Sequence, residues 1–363
     1  MGAIAHADMS SSRVPISYVP SSIESTWLSA SSHNCSIVRD QAQGSLVGRW
    51  LRFAAASRGS SPQPLQPQDR EAVSHFVDKS TGCIEPIEPL TGTARHPLAV
   101  HMGCSLRRTT GIHEVEAYNI SYVIVSNRCG ARDRSGCLPI GGASSVGAQA
   151  AQPPPRNLFY DLGCASYGPR ADAVARMAAA KAQQWNTSLE DAERRVRQKL
   201  ESPTSDKQGA AMGPSIPLFR SLYRRNCIEF DHIYGWEYKR MADWWERVPA
   251  SSRSAITFYN EAVNASDASA LGVLLRTARP QDFVVLKLDI DTPEIENPII
   301  EAIASRPELS ALVDELFFEY HSAEVNYRMY RKASRPATMH TTSQAVSTMT
   351  RLRRLGIRSH FWV

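Results

Sequence analysis

The sequence predicts an α/β protein with a Rossmann-like, mostly parallel sheet covered by helices on both faces, together with a small N-terminal accessory β layer. Apolar runs rich in β-branched and aromatic residues alternate with helical patterns about six times over residues 157–363. Residues 283–286 form an unbroken apolar run, which is typical of a strand buried on both faces of a sheet. Segments rich in Pro, Gly and Ser separate this region from the rest of the chain.

Composition divides the chain into regions. Residues 1–69 are expected to be a weakly ordered tail and linker, because SRGSSPQPLQPQD at 57–69 is rich in Ser, Gln and Pro. Residues 70–140 are expected to form the accessory segment, with strands at 96–104 and 117–127. The small residues and prolines of 141–156 predict a second linker. The Rossmann-like domain then spans 157–363, with an insertion at about 165–214.

Each strand of the domain is expected where an apolar or aromatic run is bounded by turn residues or by a helical pattern. The expected strands are 157–164, 230–237, 255–263, 282–291, 313–321 and 357–363. The first of them ends at a glycine turn, and the last ends the chain as HFWV.

Helices are expected between these strands. The expected helices are 171–201, 215–226, 269–278, 293–305 and 343–356. In the second, Ile216, Phe219 and Tyr223 fall on one face, as in an amphipathic helix. Pro293 lies near the first position of the fourth, where its missing N–H costs nothing, and Gly356 stops the fifth.

The bulk composition argues against two classes of partner. The net charge is +5 over 363 residues, and no long basic run with interleaved aromatic residues appears, so a nucleic-acid partner is not expected. No stretch approaches the length of about eighteen apolar residues that a membrane-spanning helix requires. The N-terminal residues lack the basic start and apolar middle of a signal peptide, and His6 stands where myristoylation requires Ser or Thr.

Cysteine and sequon patterns bear on the compartment. The 7 cysteines include no CxxC pair, so no zinc site is expected. The candidate disulfide pairs are Cys83 with Cys104 and Cys129 with Cys137, and the sequons lie at Asn34, Asn119, Asn186 and Asn264. These features are typical of a protein of the secretory-pathway lumen. A cytoplasmic protein with reduced thiols remains the alternative.

Polar residues follow nearly every expected strand of the domain. In order, they are Asp161, Gly163, Cys164 and Gly168; Trp236 and Glu237; Asn260 and Glu261; Asp289 and Asp291; and Glu319 and His321. Because ligands of open α/β sheets bind beyond the carboxyl ends of the strands, these residues are the candidate site.

The first two strand ends fit a nucleoside ligand. A glycine turn lets backbone N–H groups approach a ligand closely, and an acid after the second strand can bind both ribose hydroxyls. Glu237 follows Gly163 by 74 positions. The usual gap is about 20, and an insertion at 171–201 explains the excess. A plain turn at Gly163 is the competing interpretation.

Four motifs resemble a known family. FYDLGCASYG resembles the first motif of Rossmann-like S-adenosylmethionine-dependent methyltransferases, and IYGWE resembles their second-strand acid. VVLKLDIDTPEIE is similar to the LKIDVEGAE signature of the FkbM-type methyltransferases, and LFFEYH resembles the strand that follows it. The resemblance covers about residues 157–363 and does not reach 1–150. It implies an enzyme that uses S-adenosylmethionine to methylate hydroxyl groups, often on sugars, so the expected acceptor is a small molecule or glycan.

The resemblance also implies residue roles. Asp161, Gly163 and Cys164 would border the methionine end of the cofactor, Glu237 would bind the ribose hydroxyls, Trp236 would lie beside the adenine, and Asp289 would face the methyl group and the acceptor. Asn260 is a further candidate cofactor-binding residue, because it follows the third strand. Two positions depart from the family pattern. Tyr167 stands at the third glycine, so either Gly168 substitutes for it or the insertion replaces the turn, and Asp291-Thr292 replaces Glu-Gly.

Methyl transfer to a hydroxyl group requires a base, because a neutral alcohol is a poor nucleophile. Asp289 or His321 is the expected base, and Lys287 is expected to keep Asp289 ionised. Structural interpretations compete with each role. Lys287 would be a strand lysine that reaches solvent, His321 a structural histidine, and Asp291 the N-cap of the helix that starts at Pro293.

Two other functions remain open. Asp289 and Asp291 form a D-x-D pair, which glycosyltransferases use to bind a divalent cation against a nucleotide sugar. A non-catalytic Rossmann-like module is the other alternative, suggested by Tyr167 and the long insertion. The tryptophans of DWWERVP and FWV could stack on a sugar, but a place in the core is the favoured interpretation.

Overall fold

A six-stranded parallel sheet forms the centre of the molecule in the computed structural model. The structure describes residues 16–22, 24–25, 49, 53, 65–78, 84–90, 125–126, 153–165, 167, 171–201, 214–320 and 341–362. The strands of this sheet are β4 (Asn157–Leu162), β5 (His232–Trp236), β6 (Ile256–Tyr259), β7 (Phe283–Leu288), β8 (Glu315–Glu319) and β9 (Arg358–Trp362). The helices are α1 (Ala171–Trp185), α2 (Leu189–Glu201), α3 (Ser215–Arg224), α4 (Ala270–Thr277), α5 (Pro293–Ser305), α6 (Pro307–Ser310) and α7 (Thr342–Arg354).

The strand order is β6-β5-β4-β7-β8-β9, and every neighbouring pair is parallel. The chain moves outward from β4 through β5 to β6, then returns to the other side of β4 with β7. The order therefore reverses between β4 and β7. Their carboxyl ends lie at the topological switch point, where α/β sheets form a ligand crevice.

Two apolar cores cover the two faces of this sheet. Helices α4, α5 and α7 pack on one face, and Leu162, Leu286 and Leu288 point into that core. Helix α3 packs on the opposite face, where Ile216, Phe219 and Tyr223 are all buried, as their spacing predicts. The predicted α/β class, with a parallel sheet and helices on both faces, is confirmed.

The expected strands and helices of the domain are found with shifted ends. The helical pattern at 171–201 is two helices, because Asn186 adopts a φ of 46° between α1 and α2. These two helices pack on each other through a small separate cluster that includes Val174, Ala178 and Val196. Trp244 and Trp362 lie in the core, as the favoured interpretation of the tryptophans predicts, whereas Trp245 is 40% exposed.

The accessory layer is an antiparallel three-stranded sheet in the order β1-β2-β3, where β1 is Ile16–Val19, β2 Ser74–Asp78 and β3 Ile84–Ile87. A small β layer is confirmed, but its strands differ from those predicted. β1 belongs to the segment expected to be a weakly ordered tail. The expected strand 96–104 lies outside the described residues, and so does 117–127, except for residues 125–126, which are not in a strand.

Cys227 follows α3 at a φ of 58° and is in a disulfide bond, while Cys164 is a buried free thiol. The candidate disulfide pairs of the sequence lie outside the described residues. Asn186 and Asn264 are exposed sequon asparagines. Among the helices that the structure describes, none combines the length and apolar content needed to cross a membrane.

Candidate active site at the switch point

Lys287 joins the carboxyl ends of β4 and β7. Its Nζ lies 2.8 Å from Asp289 Oδ2 and 3.4 Å from Asp161 Oδ1, and it also donates a hydrogen bond of 3.3 Å to Gly163 O. The side chains of Lys287 and Asp161 are 2% and 0% exposed, whereas that of Asp289 is 25% exposed. The lysine does not reach solvent, so the competing interpretation of Lys287 is wrong, and the predicted pairing with Asp289 is confirmed.

The strand geometry explains this arrangement. Asp161 and Lys287 are paired residues on neighbouring parallel strands, so their side chains project from the same face of the sheet. Asp289 lies two positions after Lys287 and points to that face as well. Helix α3 begins above them, and Ser215 at its start donates a hydrogen bond to Asp161 Oδ2. Asp161 is thus enclosed, and its carboxylate contacts Lys287 and Ser215.

Charge balance makes Asp289 the ionised acid of the group. Burial disfavours the Lys287 ammonium, but the charges of Asp289 and Asp161 outweigh burial and raise the pKa of Lys287. Burial opposes ionisation of Asp289. The charge of Lys287 and hydrogen bonds with Glu319, Lys287 and Trp362 outweigh burial and lower the pKa of Asp289. For Asp161, burial dominates over Lys287 and raises the pKa. Asp289 is therefore the partly exposed carboxylate of this group, and its pKa is lowered.

Further acids surround Asp289. Asp289, Asp291 and Glu319 each have a carboxylate oxygen that lies within 4.8 Å of the carboxylate oxygens of the other two. Glu319 shares a hydrogen bond with Asp289, and burial, followed by the charge of Asp289, raises the pKa of Glu319. Burial also raises the pKa of Glu296 to about 8, although the N–H of Ile290 donates to its Oε1. Ca²⁺ and Mg²⁺ are bound by carboxylate oxygens in proteins, so this group of acids has the ligand type of such a site.

Asp291 is not the N-cap of α5. The N-cap is Thr292, and its side chain makes no capping hydrogen bond; its hydroxyl donates instead to Ile290 O at 3.1 Å. Asp291 itself adopts a φ of 57°. A left-handed backbone of this kind is uncommon outside glycine and turns the chain sharply before the helix. The exposed carboxylate of Asp291 is thereby brought to the acid group with Asp289 and Glu319.

Gly163 closes the turn after β4 against β7. Its φ is 92°, and a Cβ at this position would lie 1.7 Å from Asp289 O. The N–H groups of Gly163 and Cys164 both donate to Trp236 O at 3.0 Å, and the N–H of Asp289 donates to Leu162 O. These N–H groups join the strand ends to one another. The structure therefore gives Gly163 a packing role at the point where the sequence predicted contact with a ligand.

Cys164 and Trp236 are both buried at 1% exposure. Burial, followed by the charge of Asp161, raises the pKa of the Cys164 thiol, so it is not an activated nucleophile. The Trp236 ring stacks on Tyr259, with 4.7 Å between ring centroids, and lies in the core on the opposite face of the sheet from Lys287. The structure does not bring the Trp236 ring together with Asp289.

Glu237 and Asn260 lie at the same sheet edge beyond β5 and β6. Glu237 Oε1 accepts a hydrogen bond of 2.8 Å from the N–H of Lys239, and its Oε2 accepts none from the described part of the chain. The Asn260 amide donates to the carbonyl oxygens of Glu237 and Lys239 and accepts from the N–H of Met241. Asn260 therefore holds the loop in which Glu237 lies, and one carboxylate oxygen of Glu237 has no hydrogen-bond partner in the described part of the chain.

Two expected residues, Gly168 and His321, lie outside the described residues. Two contacts to the site were not predicted. The Trp362 indole donates a hydrogen bond of 3.2 Å to Asp289 Oδ2, and Ser215 holds Asp161 from α3. No local pattern reveals either contact, because the partners lie far apart in the sequence, although both residues belong to elements that were predicted.

No protein-family model, curated protein or solved structure matches this chain. The family resemblance therefore rests on the four sequence motifs.

Proposed function

We propose that the chain is an S-adenosylmethionine-dependent O-methyltransferase of FkbM type that acts on a hydroxyl group of a sugar or glycan. The observation that supports this most is the Asp161–Lys287–Asp289 group at the switch point between β4 and β7. A mononucleotide-type ligand is expected at this place in an α/β sheet. The Lys-Leu-Asp motif that resembles the family supplies two of the three residues.

Each residue has a distinct role in the proposal. The acceptor hydroxyl gives its proton to Asp289 while its oxygen bonds to the methyl carbon, and the carbon–sulfur bond breaks to leave a neutral thioether. Lys287 keeps Asp289 ionised at neutral pH, and Trp362 fixes the orientation of its carboxylate. Asp161 is a positioning residue, since its side chain is buried and contacts Lys287 and Ser215.

Glu237 supports the cofactor side of the proposal. It follows β5, next to β4 in the sheet, and its Oε2 is left to accept hydrogen bonds from ribose hydroxyls. The backbone N–H groups of Gly163 and Cys164 are already bonded to Trp236 O, so the turn binds a ligand by shape and not through these donors. Adenine contacts would come from groups other than the enclosed Trp236 ring.

Calorimetric titration with S-adenosylhomocysteine tests the proposal. We expect the wild-type protein to bind at micromolar concentrations, Glu237→Gln and Asp161→Ala to lose at least about tenfold in affinity, or about 1.4 kcal/mol, and Glu190→Gln to bind like the wild type. Glu190 is a suitable control because it is an exposed acid on α2 and does not follow a strand of the sheet. Absence of binding by the folded wild-type protein would contradict the proposal.

A metal-dependent glycosyltransferase is the second candidate, and the group formed by Asp289, Asp291 and Glu319 favours it. Such an enzyme would bind Mn²⁺ or Mg²⁺ between these oxygens and the diphosphate of a nucleotide sugar. Titration of Mn²⁺ and UDP-glucose, alone and together, separates the two candidates. Binding of the sugar nucleotide that requires the metal and fails in Asp291→Asn supports the transferase, while S-adenosylhomocysteine binding without metal supports the methyltransferase. A folded protein that binds neither ligand would favour the non-catalytic module.

A further inference from the structure

A buried cluster of charged residues connects the three-stranded sheet to the six-stranded sheet, away from the candidate active site. His360 on β9 lies at its centre and is 0% exposed. Its Nδ1 lies 2.7 Å from Glu88 Oε1, just beyond β3, and its Nε2 lies 2.8 Å from Glu315 Oε1 on β8. One imidazole thus bridges a carboxylate of each sheet.

Both ring nitrogens face carboxylate oxygens, and this geometry favours a charged ring. A neutral imidazole carries one N–H and can donate to only one of two ionised carboxylates. Two donated hydrogen bonds therefore require the imidazolium form of His360. The charges of Glu88 and the hydrogen bond of Glu315 outweigh burial and raise the pKa of His360, in agreement with this geometry.

The surrounding charges show why this proton matters. Two cations of the domain, Arg353 and Arg358, face the same cluster, and the acids that face it are Glu24, Glu85, Glu88 and Glu315. Protonated His360 brings the cations to three against four acids, of which Glu85 is 48% exposed. Loss of the proton leaves two cations against four acids inside a buried interface, where unpaired charge is costly.

Arg353 reinforces the same interface without titrating. It is fully buried and donates to Tyr18 Oη at 3.0 Å and to Glu88 O at 2.9 Å, and its Nη1 lies 3.4 Å from Glu24 Oε2. Arg358 donates to Pro86 O at 3.0 Å. Both arginines stay charged, so these bonds do not change with pH near neutrality. His360 is the group among them whose charge changes near neutral pH.

The other titratable groups nearby do not replace His360 in this range. Burial raises the pKa of Tyr18 far above neutral pH and that of Tyr223, which faces Glu315, well above its ordinary value, so both phenols stay neutral. Burial lowers the pKa of His75 on β2, so any contribution of His75 has the opposite pH dependence.

We propose that His360 is a pH-sensitive connection that holds the three-stranded sheet on β8 and β9 while its ring is protonated and releases that sheet when the ring loses its proton. Because the folded-state pKa is raised, the stabilisation is fully present below about pH 6.5 and is lost as pH rises through the folded-state pKa. The cluster is independent of the proposed methyl transfer.

Hydrogen exchange of the full chain between pH 6 and pH 9 tests the proposal, with protection factors corrected for intrinsic exchange. We expect the protection of β1–β3 to fall about tenfold for each pH unit above about 6.5 and then to level off, while β4 and β7 keep theirs. His360→Gln should show low protection of β1–β3 that does not depend on pH in this range. His232→Gln is the control, because His232 lies on β5, on the far side of the same sheet, and should behave like the wild type.

Two further measurements test the proposal even if His360→Gln does not fold. Glu88→Gln removes one charge next to the ring, so the loss of protection should level off at a lower pH than in the wild type. Nitrogen chemical shifts of the His360 ring in the wild-type protein should show an imidazolium at pH 6. A neutral ring at pH 6, or protection of β1–β3 that stays constant or increases with pH, would overturn the proposal.

Discussion

Lys287 Nζ lies 2.8 Å from Asp289 Oδ2, although the two residues stand on either side of an apolar leucine at the end of β7. A buried strand ends on a lysine and an acid because both side chains leave the same face of the sheet, where Asp161 of β4 meets them. The pair places one ionised carboxylate at the switch point between β4 and β7. The arrangement of Asp161 and Asp289 at the site therefore depends on Lys287.

Replacement of Lys287 by Met should destabilise the protein strongly. The substitution leaves Asp161 enclosed and Asp289 partly enclosed without their cation, and breaking a buried ion pair costs about 3–5 kcal/mol. Urea denaturation measures the loss in unfolding free energy. Lys239→Met, at an exposed position, should change it by less than about 0.5 kcal/mol. The double variant Lys287→Met/Asp161→Asn should be more stable than Lys287→Met alone, because it removes one unpaired acid. A Lys287→Met protein as stable as the wild type would contradict the ion-pair account.

Substitution of Gly163 separates two effects of glycine. Ala at Gly163 meets a positive φ and a Cβ contact of 1.7 Å with Asp289 O, whereas Ala at Gly356, with a φ of 88°, meets nothing within 4 Å. We expect Gly356→Ala to cost about 1–2 kcal/mol from backbone strain alone and Gly163→Ala to cost more, at least about 3 kcal/mol, because β4 and β7 must move apart. Thermal and urea denaturation of both variants give the comparison. Equal losses would show that the close approach of Gly163 to Asp289 is not important.

Asp282, just before β7, should make the protein sensitive to acid. Burial raises its pKa, but hydrogen bonds from Arg279 and Arg156 dominate together and lower it to about 2. A lowered folded-state pKa stabilises the protein above the unfolded value of 3.8 and loses this effect as pH falls towards about 2. We expect Asp282→Asn to lose about 1–2 kcal/mol at pH 7 and less than about 0.5 kcal/mol near pH 2. Urea denaturation at several pH values measures this difference, and a loss that does not depend on pH would contradict the assignment.

Local patterns predict the domain and part of the site. The alternation of side chains along β7 predicts that Lys287 faces Asp289, and the helical spacing of Ile216, Phe219 and Tyr223 predicts the buried face of α3. Both predictions depend on residues a few positions apart. The side-chain periodicity of a single strand or a single helix is sufficient for these two predictions.

Contacts between distant segments escape such rules. Ser215 reaches Asp161 across an insertion, Trp362 reaches Asp289 from another strand, and β1 pairs with β2 so that Ile16 opposes Asp78. Asp291 was predicted as an N-cap from its position before Pro293, but its left-handed backbone turns it toward Glu319 instead. That outcome depends on how the strand ends meet, which a single sequence does not contain.

Hydrogen exchange with and without saturating S-adenosylhomocysteine tests the central claim most directly, because it reports binding and its location together. We predict added protection in the peptides that cover residues 162–165 and 237–241, at the carboxyl ends of β4 and β5, and none in β1–β3. The same experiment on Glu237→Gln should show little added protection at either place. No added protection of the wild-type protein at this sheet edge, or protection confined to another surface, would contradict the proposed methyltransferase site.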